Sequence, residues 1–489
     1  MGSIISIKFM LNFIDFFIVI VYFLILFLLG YVYSKRQNNT DDYFKGGGRV
    51  PSWAAGVSIF GTVLSPITFL AIPSKTYSTD WSYFMFNMTI FIVAPIIILL
   101  FIPFFRKLNI VTAYEYLEKR FDVIIRVIGS VCFIIFQVGR MGVILFLPSI
   151  VLNLVMDIDI FFCIFLMGLI SLIYTLMGGI EAVIWTDVMQ VIVLSSGVII
   201  SLVMIISSVE GGFSTIFKNA IIENKFNLFD LTLSLKEPTL WVMLIGGFFT
   251  NIATYGTDHT IVQRYLVTKD INEANKSVWI NAILSIPASV IFFFVGTALF
   301  VYFKNFPNEL SPDFILNDAI FPWYIITQLP NGFSGLMIAA IFAAAMSSLS
   351  SSMNSAAASY LNDIHLRFRF SRKNKSLKIA RLSTLIIGLL GIFFAFFMAS
   401  YDIKSLWDEF NKILGLVIGS LGGVFLLGVL TKKANSKGVL TGLIFSFIFQ
   451  LFISSSKTFH LLMYSATGVV SCFVIGYIAS LVFNLKNKN

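Results

Sequence analysis

Three groups of residues carry chemistry that an apolar chain does not need merely to fold. The first is Arg140, set in Phe133-Ile134-Ile135-Phe136-Gln137-Val138-Gly139-Arg140-Met141-Gly142. Counting from an apolar start near Ile124 at about 1.5 Å per residue places it about 24 Å in, past the middle of a ~30 Å hydrocarbon core. A guanidinium there needs a partner, either an acid on another helix or the carboxylate of a solute, which it grips in a two-pronged geometry. Few intramembrane acids stand at that depth, and Gly139 and Gly142 leave room for a ligand. The solute is the favoured partner.

The second group is the run Ala343-Ala344-Ala345-Met346-Ser347-Ser348-Leu349-Ser350-Ser351-Ser352. On a helix Ser347, Ser350 and Ser351 share a face, with Ser348 turned beside them. Small residues let helices approach closely, but hydroxyl oxygens are also hard ligands for hard cations. Asp187, in Trp185-Thr186-Asp187-Val188, falls on the same half of the membrane. A carboxylate facing several hydroxyls makes a Na⁺ site, whereas Asp187 alone would serve as an acid near a helix N-terminus. The third group is Trp53–Tyr77, an apolar stretch punctuated by Gly56, Gly61, Ser65-Pro66 and Pro73. Pro66 lacks an N–H and crowds the preceding turn, so a helix breaks near Leu64-Ser65, where Thr62, Ser65 and Thr68 cluster. Such a break is either a kink with its hydroxyls bonded back to the helix or a binding site inside a transporter.

The elements that would hold these groups follow from composition. With 58% hydrophobic residues, 53 Phe and 12% charged residues among 489, too little polar surface remains for a soluble domain. Long apolar runs, not short alternating strands, predict an all-α polytopic membrane protein with about thirteen spans. The boundaries predict an extra helix at 14–33, a first half at 52–208, a second at 239–430, and two closing helices at 438–483. A second interrupted span is expected at 246–258, from Gly246-Gly247 to Asp258, five spans after the first. Two breaks in matching positions of two five-span halves point to inverted repeats, since an odd number of spans flips the second half. The first apolar run has no small-x-small cleavage site and is expected to stay as a span.

Most of the 34 Lys and Arg residues collect on alternate loops, which places the N-terminus outside and the C-terminus in the cytoplasm of a plasma-membrane protein. The net charge of +9 is thereby topological, and no nucleic-acid partner is needed. Arg264 is counted with these loop cations, Gly46-Gly47-Gly48 is expected to be a flexible link, and the external segment 209–237 shows no fold of its own. No HExxH, GxSxG or Walker-type pattern is present, so no enzyme is expected. Cys132, Cys163 and Cys472 lie in apolar spans and read as packing residues.

Several stretches together resemble the sodium:solute symporter family. They are Asp42-Tyr43-Phe44-x-Gly46-Gly47-Gly48-Arg49, the break at Pro66, Thr112 to Phe121, Gly178-Gly179-Ile180-Glu181 through Asp187, Asp258 to Leu266, and Ala344 to Ser352. The resemblance implies a LeuT-like core of two inverted five-helix repeats, each with a discontinuous first helix, and Na⁺-driven alternating access. It implies one Na⁺ held by carbonyls of Gly61, Leu64 and Ala344 with the hydroxyls of Ser347 and Ser348. A further ion, as in some members, would use Asp187, Ser347, Ser350 and Ser351. The stretch from Leu64 to Trp81 looks most like members that carry sialic acid. There the resemblance implies that Ser65 and Thr68 contact substrate, that Tyr83 lines the pocket, and that Arg140 grips the carboxylate. Asn87 departs from the glutamine of that group by one methylene. The expected function is Na⁺ symport of a carboxylated solute, foremost sialic acid, by a monomer in the lipid bilayer. The alternatives are a monocarboxylate, pantothenate, an amino acid or a sugar; a sensor or channel is the rival class, disfavoured because the chain ends soon after its last span.

Overall fold

The computed structural model describes residues 12–108, 110–156, 159–310, 320–368, 376–400, 414–456 and 458–486. Among these residues the fold is helical, with a lone bridge between Val50 and Thr268 in place of a sheet. Among the described residues nine helices are long and apolar enough to cross a membrane, and one bent pair makes a tenth candidate. Large side chains such as Ile135, Phe393 and Leu451 point outward from them, as a lipid solvent permits.

In chain order the elements that matter are α1 (Phe13–Ser34), α2 (Ser52–Val63), α3 (Pro66–Ser78) and α4 (Phe84–Lys107). Then come α5 (Val123–Met156), α6 (Ile160–Ser208), α7 (Leu240–Thr257), α8 (His259–Leu266) and α9 (Ile271–Asn305). The series ends with α10 (Phe333–Ser359), α11 (Ser376–Ala399), α12 (Ser420–Leu430), α13 (Ser436–Ser456) and α14 (Tyr464–Lys486).

At about 1.5 Å per residue, the 49 residues of α6 would span more than twice a ~30 Å core if straight. It turns at Gly179, whose φ of 57° and ψ of −156° lie outside helix geometry. A Cβ there would stand 2.6 Å from the Tyr43 carbonyl, so both the turn and the close approach require glycine.

The ends of the site-bearing helices are tied down from elsewhere in the chain. Asp15 Oδ1, on α1, accepts the N–H groups of Gly332 and Gly335 at 2.7 and 2.8 Å, capping α10 at its start. Lys225 Nζ donates to the carbonyls of Tyr77 and Thr79 at 2.7 and 2.6 Å, closing the end of α3. The segment that carries Lys225 includes a helix, Gly212–Ile222, so the expectation that it lacks structure is corrected. Arg106 does the same for α8 through Thr268 O at 2.7 Å, and Arg120 for α12 through Thr431 O at 2.7 Å. Several of the basic residues therefore cap helices.

Two further expectations are corrected. Gly46 to Gly48 form a tight left-handed turn beside which Arg49 reaches Asp42 and Glu181, each at 3.3 Å, so the link is pinned. The pair Gly246-Gly247 lies inside an uninterrupted α7. A Cβ at Gly246 would meet Leu462 O at 2.6 Å, and one at Gly247 would meet Thr89 Oγ1 at 2.7 Å. These glycines serve close packing, and the break comes at Asp258. The three cysteines are free thiols.

Candidate functional site

The first break is built by proline chemistry. Helix α2 stops at Val63; Leu64 takes ψ 78° and Ser65 is extended, with φ −81° and ψ 166°. Ser65 N–H turns to Val63 O at 2.9 Å instead of reaching Gly61 O, and Pro66 has no N–H to offer Thr62 O. The carbonyls of Gly61 and Thr62 are thereby released from the helix ladder at membrane depth. Ser65 caps α3 by accepting Thr68 N–H at 3.4 Å, and the two helix halves meet at 56°.

Across from it, α7 and α8 are joined through Asp258, at φ −70° and ψ 111°. Its Oδ1 caps α8 through Thr260 N–H at 2.8 Å and accepts Gln137 Nε2 at 3.2 Å. Arg140 stands between the two breaks. Its Nη2 donates to Thr62 O at 2.8 Å, its Nη1 lies 3.6 Å from Asp258 Oδ2, and its Nε finds no partner among the described residues. The acid that sequence reasoning did not find for Arg140 is thus Asp258, at the end of the quoted glycine-rich stretch.

Arg140 lines a cavity with about 1120 Å³ of empty space, its open side included. Leu64, Ser65, Thr68 and Asn87 line the same cavity, with Asp258, Thr250, Asn251, Thr254, Ser285 and Ser289. Asn87 Nδ2 donates to Ser289 Oγ at 3.2 Å, which orients its amide. Tyr83 is elsewhere: it lines a smaller adjoining cavity with Lys75 and Thr76.

The hydroxyl run falls on α10, buried throughout. Ser347 donates to Asp187 Oδ1 at 2.7 Å, and Ser348 to Thr62 O at 3.3 Å. Ser350 turns back to Ser347 O at 3.1 Å. Gly61 sits against this corner; a Cβ on it would lie 3.5 Å from Ser347 Oγ and 3.7 Å from Asp187 O. Ala344 is buried one turn before Ser347 and Ser348. Gly61, Leu64, Ala344, Ser347 and Ser348 therefore lie where the first broken helix meets α10.

Asp187 has a cationic neighbour that sequence reasoning assigned to a loop. Arg264 lies inside the protein because α8 continues the second broken helix inward, and its side chain is 0% exposed, as is that of Asp187. Arg264 Nη2 donates to Asp187 Oδ2 at 2.9 Å and to Ser351 Oγ at 2.5 Å; Nε donates to Ser58 Oγ at 2.7 Å and Nη1 to Thr260 O at 2.6 Å. Ser58 in turn donates to Asp187 Oδ2 at 2.5 Å. The position of Arg264 within the quoted Asp258 to Leu266 motif was the available signal. Ser58, one of several small polar residues in its span, offered none.

Comparison with known proteins places this geometry. The pattern of the sodium:solute symporter family matches residues 43–446. The sodium/sialic acid symporter NanT of Aliivibrio fischeri is 39% identical over 457 residues, covering 93% of this chain and 90% of its own. The sodium/sialic acid symporter SiaT of Proteus mirabilis is 40% identical over 477 residues, 96% of each chain. The human sodium-coupled monocarboxylate transporter 1 is 31% identical over 424 residues, 85% of this chain and 68% of its own. A solved substrate-bound, outward-open Na⁺-coupled sialic acid symporter superposes with a TM-score of 0.91 at 39% identity, covering 96% of this chain and 98% of that one. The nucleobase-cation symporter Mhp1 shares the fold, with a TM-score of 0.60 at 13% identity over 89% of this chain and 93% of its own. With the family pattern running from Tyr43 through both breaks and past the serine run, this multi-pass membrane chain belongs to the sodium:solute symporter family.

Proposed function

We propose that this protein is a secondary active transporter, not an enzyme, that carries sialic acid into the cell with Na⁺ by alternating access. The observation that carries the reading is Arg140, buried between two broken helices and facing a cavity beside Ser65 and Thr68. A carboxylate gains most from a guanidinium at a desolvated site, where the pair attracts strongly and two oxygens match two N–H groups. The remaining lining supports a sugar acid over a short monocarboxylate. Polar groups at Asn87, Thr250, Asn251, Thr254, Ser285 and Ser289 extend around the cavity, as a solute with several hydroxyls requires. The relatives that are sodium/sialic acid symporters match over nearly the whole chain and support the same solute.

In this reading Ser65, Thr68, Asn87 and Arg140 hold the solute. Gly61, Leu64, Ala344, Ser347 and Ser348 hold one Na⁺, and Asp187, Ser347, Ser350 and Ser351 belong to a second ion position shared with Arg264. Both ions are cargo. The repeats are 52–208 and 239–430. Thirteen crossings follow if α6 counts twice, each broken helix counts once and α12 counts with the turn before it. The N-terminus is outside, the C-terminus cytoplasmic, and the monomer is the working unit.

The test is uptake of labelled sialic acid into proteoliposomes with and without an inward Na⁺ gradient. Saturable, gradient-stimulated uptake is expected. Absence of Na⁺ stimulation overturns the reading, and competition by short monocarboxylates, pantothenate or amino acids but not sialic acid would move the substrate within the family. Flux that fails to saturate would indicate a channel.

A further inference from the structure

The residues that face the solute lie on one stripe of α3. Ser65, Thr68, Ile72 and Lys75 follow one another at spacings of three, four and three, which puts them on a single helical face. Seven residues separate Thr68 from Lys75, about 10 Å along the axis. Lys75 lines the smaller cavity, with Thr76, Tyr83 and Phe293, and that cavity shares Ile72, Phe86 and Asn87 with the larger one. The two spaces thus adjoin, the smaller lying toward the end of α3 that Lys225 closes.

Lys75 Nζ lies over the Tyr83 ring at 5.5 Å from its centroid and forms no ion pair among the described residues. The nearest acid in sequence, Asp80, accepts instead from Ser82 at Oδ1 and from Asn227 at Oδ2. An ammonium lodged against an aromatic face keeps its charge unneutralised while its stem covers apolar surface. A carboxylate travelling toward Arg140 would otherwise lose its water with no cation to meet it on the way.

We propose that Lys75 and Tyr83 form an outer subsite that receives the carboxylate of the incoming solute before Arg140 takes it. The inference rests on the reading of the substrate as a carboxylate, and it gives Tyr83 a role upstream of the central cavity. A half-buried charge at the mouth of a site acts on the rate of arrival more than on the final affinity.

The experiment is stopped-flow binding of sialic acid to purified protein at fixed Na⁺, with ionic strength raised by choline chloride. For Lys75→Gln the association rate is expected to fall about threefold or more at low ionic strength, with a flatter salt dependence; the dissociation rate should fall alongside it, so that the dissociation constant stays within about twofold of the unaltered protein. Lys75→Arg should keep the rate. The uncharged methyl ester of sialic acid should show no dependence on Lys75. An unchanged association rate and salt slope in Lys75→Gln would overturn the subsite, as would a loss confined to the dissociation rate. Failure of the unaltered protein to bind sialic acid while binding another carboxylate would refute the substrate alone, and the same comparison with that carboxylate would then decide the subsite. Failure to bind any carboxylate would refute both.

Discussion

Replacing Arg264 by glutamine should make the protein depend on Na⁺ for its stability. In the structure Arg264 answers the charge of Asp187 at 2.9 Å with both side chains fully buried, and its other N–H groups engage Ser58, Thr260 O and Ser351. Removing one partner of such a pair costs about 3–5 kcal/mol, because the other charge is left buried without compensation. Glutamine keeps some hydrogen bonding, so a loss near about 3 kcal/mol is expected in Na⁺-free choline buffer. A Na⁺ ion bound at Asp187 would restore the missing charge. The variant should therefore bind it more tightly, and each tenfold gain in affinity adds about 1.4 kcal/mol of Na⁺-dependent stabilisation at saturation. The assay is thermal unfolding of detergent-solubilised protein in NaCl and in choline chloride. Arg264→Gln should melt well below the unaltered protein in choline and recover most of the difference in Na⁺. Adding Asp187→Asn should rescue it in choline and abolish the extra response. An identical Na⁺ increment in Arg264→Gln and the unaltered protein would refute the idea that Na⁺ and Arg264 answer the same carboxylate.

Other substitutions separate the roles of the site. Arg140→Ala should abolish sialic acid binding, read by calorimetry, while Na⁺-dependent fluorescence persists, since the lost partner is the carboxylate. Asp187→Ala should lower the number of Na⁺ ions moved per substrate, measured from reversal potentials in proteoliposomes; an unchanged ratio would leave one ion position. Asn87→Gln lengthens the amide by one methylene and forces it past its 3.2 Å contact with Ser289, so the ranking of different sialic acids should shift by up to about tenfold in competition assays. Gly179→Ala must adopt φ 57° with its Cβ 2.6 Å from Tyr43 O, and should lower the yield of folded protein and cost about 1–3 kcal/mol in unfolding experiments.

The first break is legible because proline states its own chemistry: the missing N–H of Pro66 frees a carbonyl four residues earlier wherever the helix lies. The second is less so. Gly246-Gly247 looks like a weak point, yet glycine in a membrane helix serves close approach as readily as a bend, and only the helix–helix contacts tell which. Asp258 breaks its helix by capping the next one, a signal shared with countless unbroken aspartates. Arg264 is hidden for a related reason. Its charge counts toward a cytoplasmic loop until the structure carries α8 inward and sets it against Asp187. Single residues with unusual backbone chemistry are readable alone; pairings between distant segments are not.

Those pairings give coupling between solute and ion a physical route. Thr62 O, released by Pro66, accepts from both Arg140, which lines the proposed solute cavity, and Ser348, which belongs to the proposed ion site. A carboxylate that draws Arg140 toward the cavity loosens its hold on that carbonyl. A cation that claims the oxygen of Ser348 does the same from the other side. The carbonyls of Gly61 and Leu64 lie within two residues of Thr62, so the break they share has different best positions with and without each ligand. A bond that both ligands perturb would couple the two sites, and the change in one affinity caused by the other ligand must then be equal in both directions. The second break joins through Asp258, which faces Arg140 at 3.6 Å and starts the helix that carries Arg264 to Asp187. If the solute binds at Arg140 as proposed, it bears on both helix breaks at once, and through them on both proposed ion positions.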